Sequence, residues 1–362
     1  TEEDEVVSAA QAQALPNPMQ RALARLGIDA EAFADMAGPL GVTPKETIHA
    51  SGTLKLHHYE PLADSVYRVP VLIVTSLVNQ PYILDLVPGQ SMVEYLLRQG
   101  FDVYLIEWGR PRYEHKDLTL EDHVLRLLPE CVDAVLRDSG ERELSIIGYC
   151  VGGLLSVLYA ALTPNDKKAA PLKNLVCMAA PINGDGLVSL KAWMGEGFDE
   201  EALIEQFGNV PADWVQNTLR ALRPFGKLAG AANLLNQIDK EDTVRSNLRM
   251  GKWESDNIPF PGGVFRQMVN DFLRGNKLIK GTWQIGGQRA KLANIKQPLL
   301  HLLAQDDHIT PYASASDLVK LAGSRDKSEH VVKGGHVGLV AGRGAETRMW
   351  PALNAWLAPR SV

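Results

Sequence analysis

A cysteine stands between glycines at Gly148-Tyr149-Cys150-Val151-Gly152-Gly153, with a β-branched apolar run before it at 144–147 and a helix-forming run after it to residue 162. Strand, sharp turn and helix in that order make a nucleophile elbow. Its central residue sits at the head of a sheet, beside helix N–H groups that favour a thiolate and later an oxyanion. Small residues are needed two positions to either side, where strand and helix approach closely. Gly148 and Gly152 meet that need. Taken alone, the stretch fits two accounts about equally: a nucleophilic Cys150, or a small hydrophobe buried in ordinary helix packing. It is uncharged and long enough to resemble a membrane span, but three glycines, a β-rich start and the lack of a basic flank point away from one.

A thiol nucleophile needs a base, and the base needs an orienting group. The apolar run 298–304 ends in Gln305-Asp306-Asp307-His308, and the run 329–332 is followed by Lys333-Gly334-Gly335-His336-Val337-Gly338. In the order expected of this chemistry, the acid follows a late strand and the histidine follows the last one. Asp307 is the preferred acid, with Asp306 its rival, and His336 is the base. Asp185 is a weaker alternative, since it opens an inserted segment. His308 adjoins the acid and is expected to contact substrate. The other seven of the nine histidines are read as surface or packing residues. The oxyanion hole takes one N–H from Val151 and a second from the loop after the run 71–77, with Val78 preferred and Leu77 the other choice.

Elements that position these residues follow from periodicity. Apolar runs at 71–77, 102–107, 144–147, 172–178, 298–304 and 329–332 alternate with helical segments at 92–99, 120–137, 151–162 and 345–357. That alternation predicts parallel strands with crossover helices. Residues 54–59 and 66–70 read as antiparallel edge strands, and 19–36 as a weak helix or helix pair after a polar tail at 1–14. The fold class is α/β: an α/β-hydrolase fold, a mostly parallel sheet flanked by helices, with an inserted cap. Residues 1–50 form a tail or arm, 51–182 and 291–362 the core, and 183–290 the aromatic-rich cap.

Bulk composition excludes several classes. The 362 residues carry 43 acidic and 37 basic side chains, a net charge of −6 that does not suit a nucleic-acid binder. Cys131, Cys150 and Cys177 have neither disulfide nor zinc spacing, so no metal is expected and a reducing cytoplasm fits best. No secretory leader and no transmembrane segment are expected.

With elbow, DHITP loop and GGHVG loop in place, the chain resembles polyhydroxyalkanoate synthases, especially the short catalytic subunits of classes III and IV. LVNQPYILDL at 77–86, LLRQGFDVYLIEWG at 96–109 and FRQMVNDF at 265–272 carry the likeness further, over roughly 54–357. The absence of a long N-terminal domain favours the short classes. The resemblance implies Cys150, Asp307 and His336 as nucleophile, acid and base. It implies an enzyme that polymerises (R)-3-hydroxyacyl-coenzyme A into polyester through an acyl-cysteine, with coenzyme A as product and no separate cofactor. A granule surface in the cytoplasm, a second non-catalytic subunit and a homodimer are implied with it. Arg220, Arg223, Lys227, Arg245, Arg249 and Lys252 are candidates for the coenzyme A phosphates. A cysteine-dependent thioesterase or polyester depolymerase, and a silent granule scaffold, are the alternatives.

Overall fold

Eight strands form one sheet in the order β1-β2-β4-β3-β5-β6-β9-β10. They are β1 (Lys45–Ser51), β2 (Leu54–Tyr59), β3 (Val71–Val74), β4 (Val103–Glu107), β5 (Leu144–Tyr149), β6 (Leu172–Met178), β9 (Leu299–Ala304) and β10 (Lys327–Val332), with a small hairpin of β7 (Gln284–Ile285) and β8 (Gln288–Arg289) apart from them. From β4 to β10 all pairings are parallel, while β2 runs antiparallel to both β1 and β4. This computed structural model describes residues 37–162, 171–223, 241–342 and 344–362. The expected tail, the helix at 19–36 and Lys227 lie outside them.

By its contacts the chain divides into two units. One comprises Thr1–Gly38 and Phe225–Arg249; the other comprises Pro39–Pro224 and Met250–Val362 and holds the sheet. Strands β3, β5 and β9 are buried along their whole length, as parallel strands covered on both faces must be. Alternate side chains of β3 feed two separate cores: Leu72 and Val74 enter one, Val71 and Ile73 the other.

The helices follow as α1 (Met92–Arg98), α2 (Leu128–Ser139), α3 (Val151–Leu162), α4 (Val188–Trp193), α5 (Glu200–Phe207), α6 (Ala212–Ala221), α7 (Glu241–Ser255), α8 (Gly262–Gln267), α9 (Tyr312–Ala315), α10 (Asp317–Leu321) and α11 (Trp350–Leu357). Two expected helices begin differently. Asp122–Leu127 and Ala345–Met349 are π-helical turns, each followed by an α-helix with proline in its first turn, Pro129 in α2 and Pro351 in α11. Proline has no amide hydrogen to donate backward, so the ladder is interrupted at that point.

The strand expected at 66–70 is absent. There the Tyr67 N–H donates to Gly100 at 2.7 Å, the Val69 N–H donates to Ser361 at 3.1 Å, and Pro70 has no N–H for a ladder. The antiparallel partner of β2 is instead β1, from a segment assigned to the arm by sequence. β3 also ends three residues early, at Val74, leaving Leu77 and Val78 on a loop.

Candidate active site

Cys150 adopts φ +55°, one of three non-glycine residues with positive φ among those described. Its N–H donates to Met178 at 2.9 Å, tying the turn to the neighbouring strand, and its carbonyl accepts from Gly153 at 2.9 Å and Leu154 at 3.2 Å, which starts α3. A Cβ on Gly148 would lie 2.7 Å from the Gly153 Cα, and one on Gly153 would lie 2.6 Å from the Ala180 Cβ. The strained cysteine is therefore held by close backbone packing on both sides.

His336 follows β10 at the start of a 3-10 turn, His336–Leu339. Its Nδ1 lies 2.7 Å from Asp307 Oδ2, and Cys150 is near enough to favour the protonated ring. The other carboxylate oxygen, Asp307 Oδ1, accepts the N–H groups of Ile309 at 2.9 Å and Thr310 at 2.8 Å. Both oxygens are thus occupied, so the carboxylate cannot rotate away from the imidazole. Asp307 is 7% exposed, Cys150 7% and His336 4%. Burial is the largest influence on His336 and opposes its charge, yet Asp307, which also hydrogen-bonds the ring, and Cys150 outweigh it and raise its pKa to about 10. This imidazole holds a proton strongly.

Of the three carboxylates considered, only Asp307 reaches His336. Asp306 is exposed, and its backbone N–H donates to Gly334 at 2.9 Å, joining the loop after β9 to the loop that carries His336. Asp185 is exposed and bonds Lys191 and Asn276. His308 is half-buried beside Asp307 and His336; burial first, then the positive charges of Arg223 and His336, hold its pKa below the usual imidazole value. Val151 is the first residue of α3, so its amide has no acceptor four residues back. Val78 is half-buried, and its carbonyl accepts the Ile258 N–H at 3.1 Å. Leu77 is 2% exposed.

Arg220, Arg223 and Lys252 are exposed. Arg245 and Arg249 belong to the other unit, where Arg249 Nε donates to the Ala37 carbonyl at 3.0 Å. Cys131 and Cys177 are free and buried, and burial pushes both thiols well up, away from reactivity. Among the described residues no group of His, Cys, Asp and Glu could hold a metal ion, and no helix is long and apolar enough to cross a membrane.

Sequence reasoning missed one neighbour. The Tyr149 ring packs against the His336 ring, with centroids 5.2 Å apart and planes tilted by 36°. Strand alternation could have found it, because a residue adjoining Cys150 at the end of β5 must face one side of the sheet.

Residues 69–342 match the family model for the alpha/beta hydrolase fold, and residues 19–96 match that for the N-terminus of poly-beta-hydroxybutyrate polymerase. The likeness therefore starts well upstream of residue 54, where sequence reading placed it. The chain is 36% identical over 327 residues to the poly(3-hydroxyalkanoate) polymerase subunit PhaC of Haloferax mediterranei, covering 89% of this chain and 65% of that one. To the subunit of the same name from Allochromatium vinosum it is 35% identical, covering 88% and 90%. To that of a Synechocystis species it is 34% identical, covering 89% and 86%. Among solved structures, MenH from S. aureus superposes with a TM-score of 0.53 at 14% identity, covering 86% of this chain and 100% of that one. A soluble monoglyceride lipase variant from Saccharomyces cerevisiae gives 0.51 at 14% identity, covering 90% and 97%. These two likenesses concern the fold alone.

Proposed function

The chain belongs to the poly(3-hydroxyalkanoate) polymerase family, and from that premise we propose that it polymerises (R)-3-hydroxyacyl-coenzyme A through an acyl-enzyme on Cys150. The observation that carries the reading is the line of contacts from Cys150 through His336 to Asp307, with the cysteine at φ +55° on the elbow.

His336 holds the proton that leaves Cys150. The sulfur attacks the thioester carbon, a new carbon–sulfur bond forms, the bond to coenzyme A breaks, and His336 hands its proton to the departing thiolate. Exchange of one thioester for another is nearly neutral in energy, so the acyl group stays activated. Acylation also removes the negative charge on sulfur that helps His336 bind a proton, which eases that transfer. The free imidazole then takes the proton of an incoming hydroxyl, from a second monomer or the chain end. The oxygen bonds the acyl carbon, the bond to Cys150 breaks, and the proton returns to sulfur. Asp307 stabilises the imidazolium in both halves, and the Val151 and Val78 amides are the proposed oxyanion donors. His308 is proposed to line the acyl site.

The relatives named above are called subunits, which supports a second, non-catalytic chain as partner; a homodimer and a place at the polyester surface in the cytoplasm belong to the same proposal. The test mixes the protein with 3-hydroxybutyryl-coenzyme A and follows coenzyme A release and the acyl group, with Cys150→Ala as control. Sedimenting polyester absent from the variant is the expected result. Free 3-hydroxybutyrate in place of polymer would overturn the polymerase reading and make the chain a thioesterase.

A further inference from the structure

Tyr149 ends β5 one residue before the nucleophile, and its register against Met178 of β6 fixes which face of the sheet it enters. It enters the core that also contains Cys150, Leu339 and Val340, the last two on and just after the turn that begins with His336. The residue is 3% exposed, and its hydroxyl is buried with no hydrogen-bond partner among the described residues. A buried phenol without a partner is unfavourable for the fold, so what this side chain contributes here is its ring rather than its hydroxyl.

We propose that Tyr149 is a positioning residue whose aromatic face, not its hydroxyl, holds the His336 imidazole in line between Asp307 and Cys150. Asp307 grips the imidazole at Nδ1 only, which leaves the ring free to swivel about that bond. The tilted contact at 5.2 Å supplies the wall that stops it. Because Tyr149 and Cys150 are consecutive, any movement of the elbow carries nucleophile and wall together, and the base stays registered to the sulfur. The charged or titratable groups facing His336 are Asp307, Cys150, His308 and Tyr149 itself. The inference rests on the reading of Cys150, Asp307 and His336 as the reacting set.

The test compares Tyr149→Phe with Tyr149→Leu in the full chain by two readouts. One is the kcat and KM of coenzyme A release from 3-hydroxybutyryl-coenzyme A. The other is the pH dependence of Cys150 alkylation by iodoacetamide, which needs no polymerase activity. Tyr149→Phe is expected to keep kcat and the alkylation profile and to melt no lower than the parent. Tyr149→Leu is expected to lose about tenfold to a hundredfold in kcat with KM little changed. Its Cys150 should be alkylated several-fold more slowly than that of the parent at neutral pH, because the imidazole no longer stays at the sulfur. Should Tyr149→Leu not fold, Tyr149→Met fills similar space without a planar face and carries the same expectations. Equal losses in the Phe and Leu variants would assign the role to the hydroxyl, and unchanged kcat and alkylation in Leu would remove it altogether. If the parent releases no coenzyme A, the polymerase reading fails while alkylation still decides the role of Tyr149.

Discussion

Gly152 lies against the Val74 carbonyl oxygen so closely that a methyl group on its Cα would overlap it. The Thr75 carbonyl closes the same space, and both are backbone groups that cannot swing aside. Gly152→Ala is therefore expected to cost about 2–3 kcal/mol or more. Urea unfolding should give a lower midpoint at unchanged slope. The control is Gly251→Ala in α7, where nothing lies within 4 Å and the change should stabilise by roughly 0.5–1 kcal/mol.

Asp307→Asn keeps the shape of the acid but loses its charge. It is expected to lower coenzyme A release about a thousandfold or more, since a neutral amide neither fixes the tautomer nor stabilises the imidazolium. Asp306→Asn, at an exposed side chain, should leave the rate near that of the parent. Equal losses in the two would show that the loop, not the carboxylate at His336, is what matters.

His336 gives stability a dependence on pH. In the folded chain it keeps its proton to about pH 10, against 6.5 for an ordinary imidazole. A raised folded-state value means that this contribution is complete below about pH 6.5 and is lost as pH rises toward 10. Thermal melts of the parent and of Asp307→Asn should differ most near pH 6, differ less as pH rises above it, and converge as pH approaches 10.

His58 joins three elements, with Nε2 2.8 Å from Asp102 and Nδ1 2.9 Å from Asp138 on α2, while its ring stacks on Tyr104 of β4 at 4.1 Å. Burial opposes its charge, but Asp102, Asp138 and Glu46 raise its pKa above the usual value. Its stabilisation is therefore full below about pH 6.5 and fades as pH rises through the raised value. His58→Gln should lower the melting temperature at pH 6 more than at pH 9; an equal loss at both would leave stacking as the whole effect.

Arg274 binds one end of the segment between β6 and β7. Its guanidinium donates to Glu200 at 2.8 Å, to Asn270 at 2.7 Å and to the carbonyls of Met194, Gly195 and Phe198. Arg274→Ala would leave Glu200, at the start of α5, without its cation, at a cost of at least about 2 kcal/mol. Faster proteolysis within residues 194–200 is the expected sign, and unchanged proteolysis would count against the anchoring role.

The elbow was legible in the sequence because it is local. An apolar β-branched run, two spaced glycines and a helix-forming run determine strand, turn and helix within some twenty residues, and close approach admits only small side chains there. The α/β alternation was legible for a similar reason, since parallel strands covered on both faces must be continuously apolar. The order of the loops along the chain then pointed to His336 and to one of two neighbouring aspartates as side chains that would meet, and His336 does meet Asp307.

Tertiary structure alone decided the rest. Asp306 and Asp307 are chemically identical neighbours, and which one turns inward depends on the Ile309 and Thr310 amides and on the Asp306 bond to Gly334, a contact between separate loops. The partner of β2 was decided by whose amides were free: those of Tyr67 and Val69 were taken by Gly100 and Ser361, residues distant in sequence. The Tyr149 wall behind His336 likewise joins residues far apart in the chain. Local patterns prescribe elements and exposed turns, but contacts between loops depend on how the completed sheet aligns its strand ends, which no stretch of sequence contains by itself.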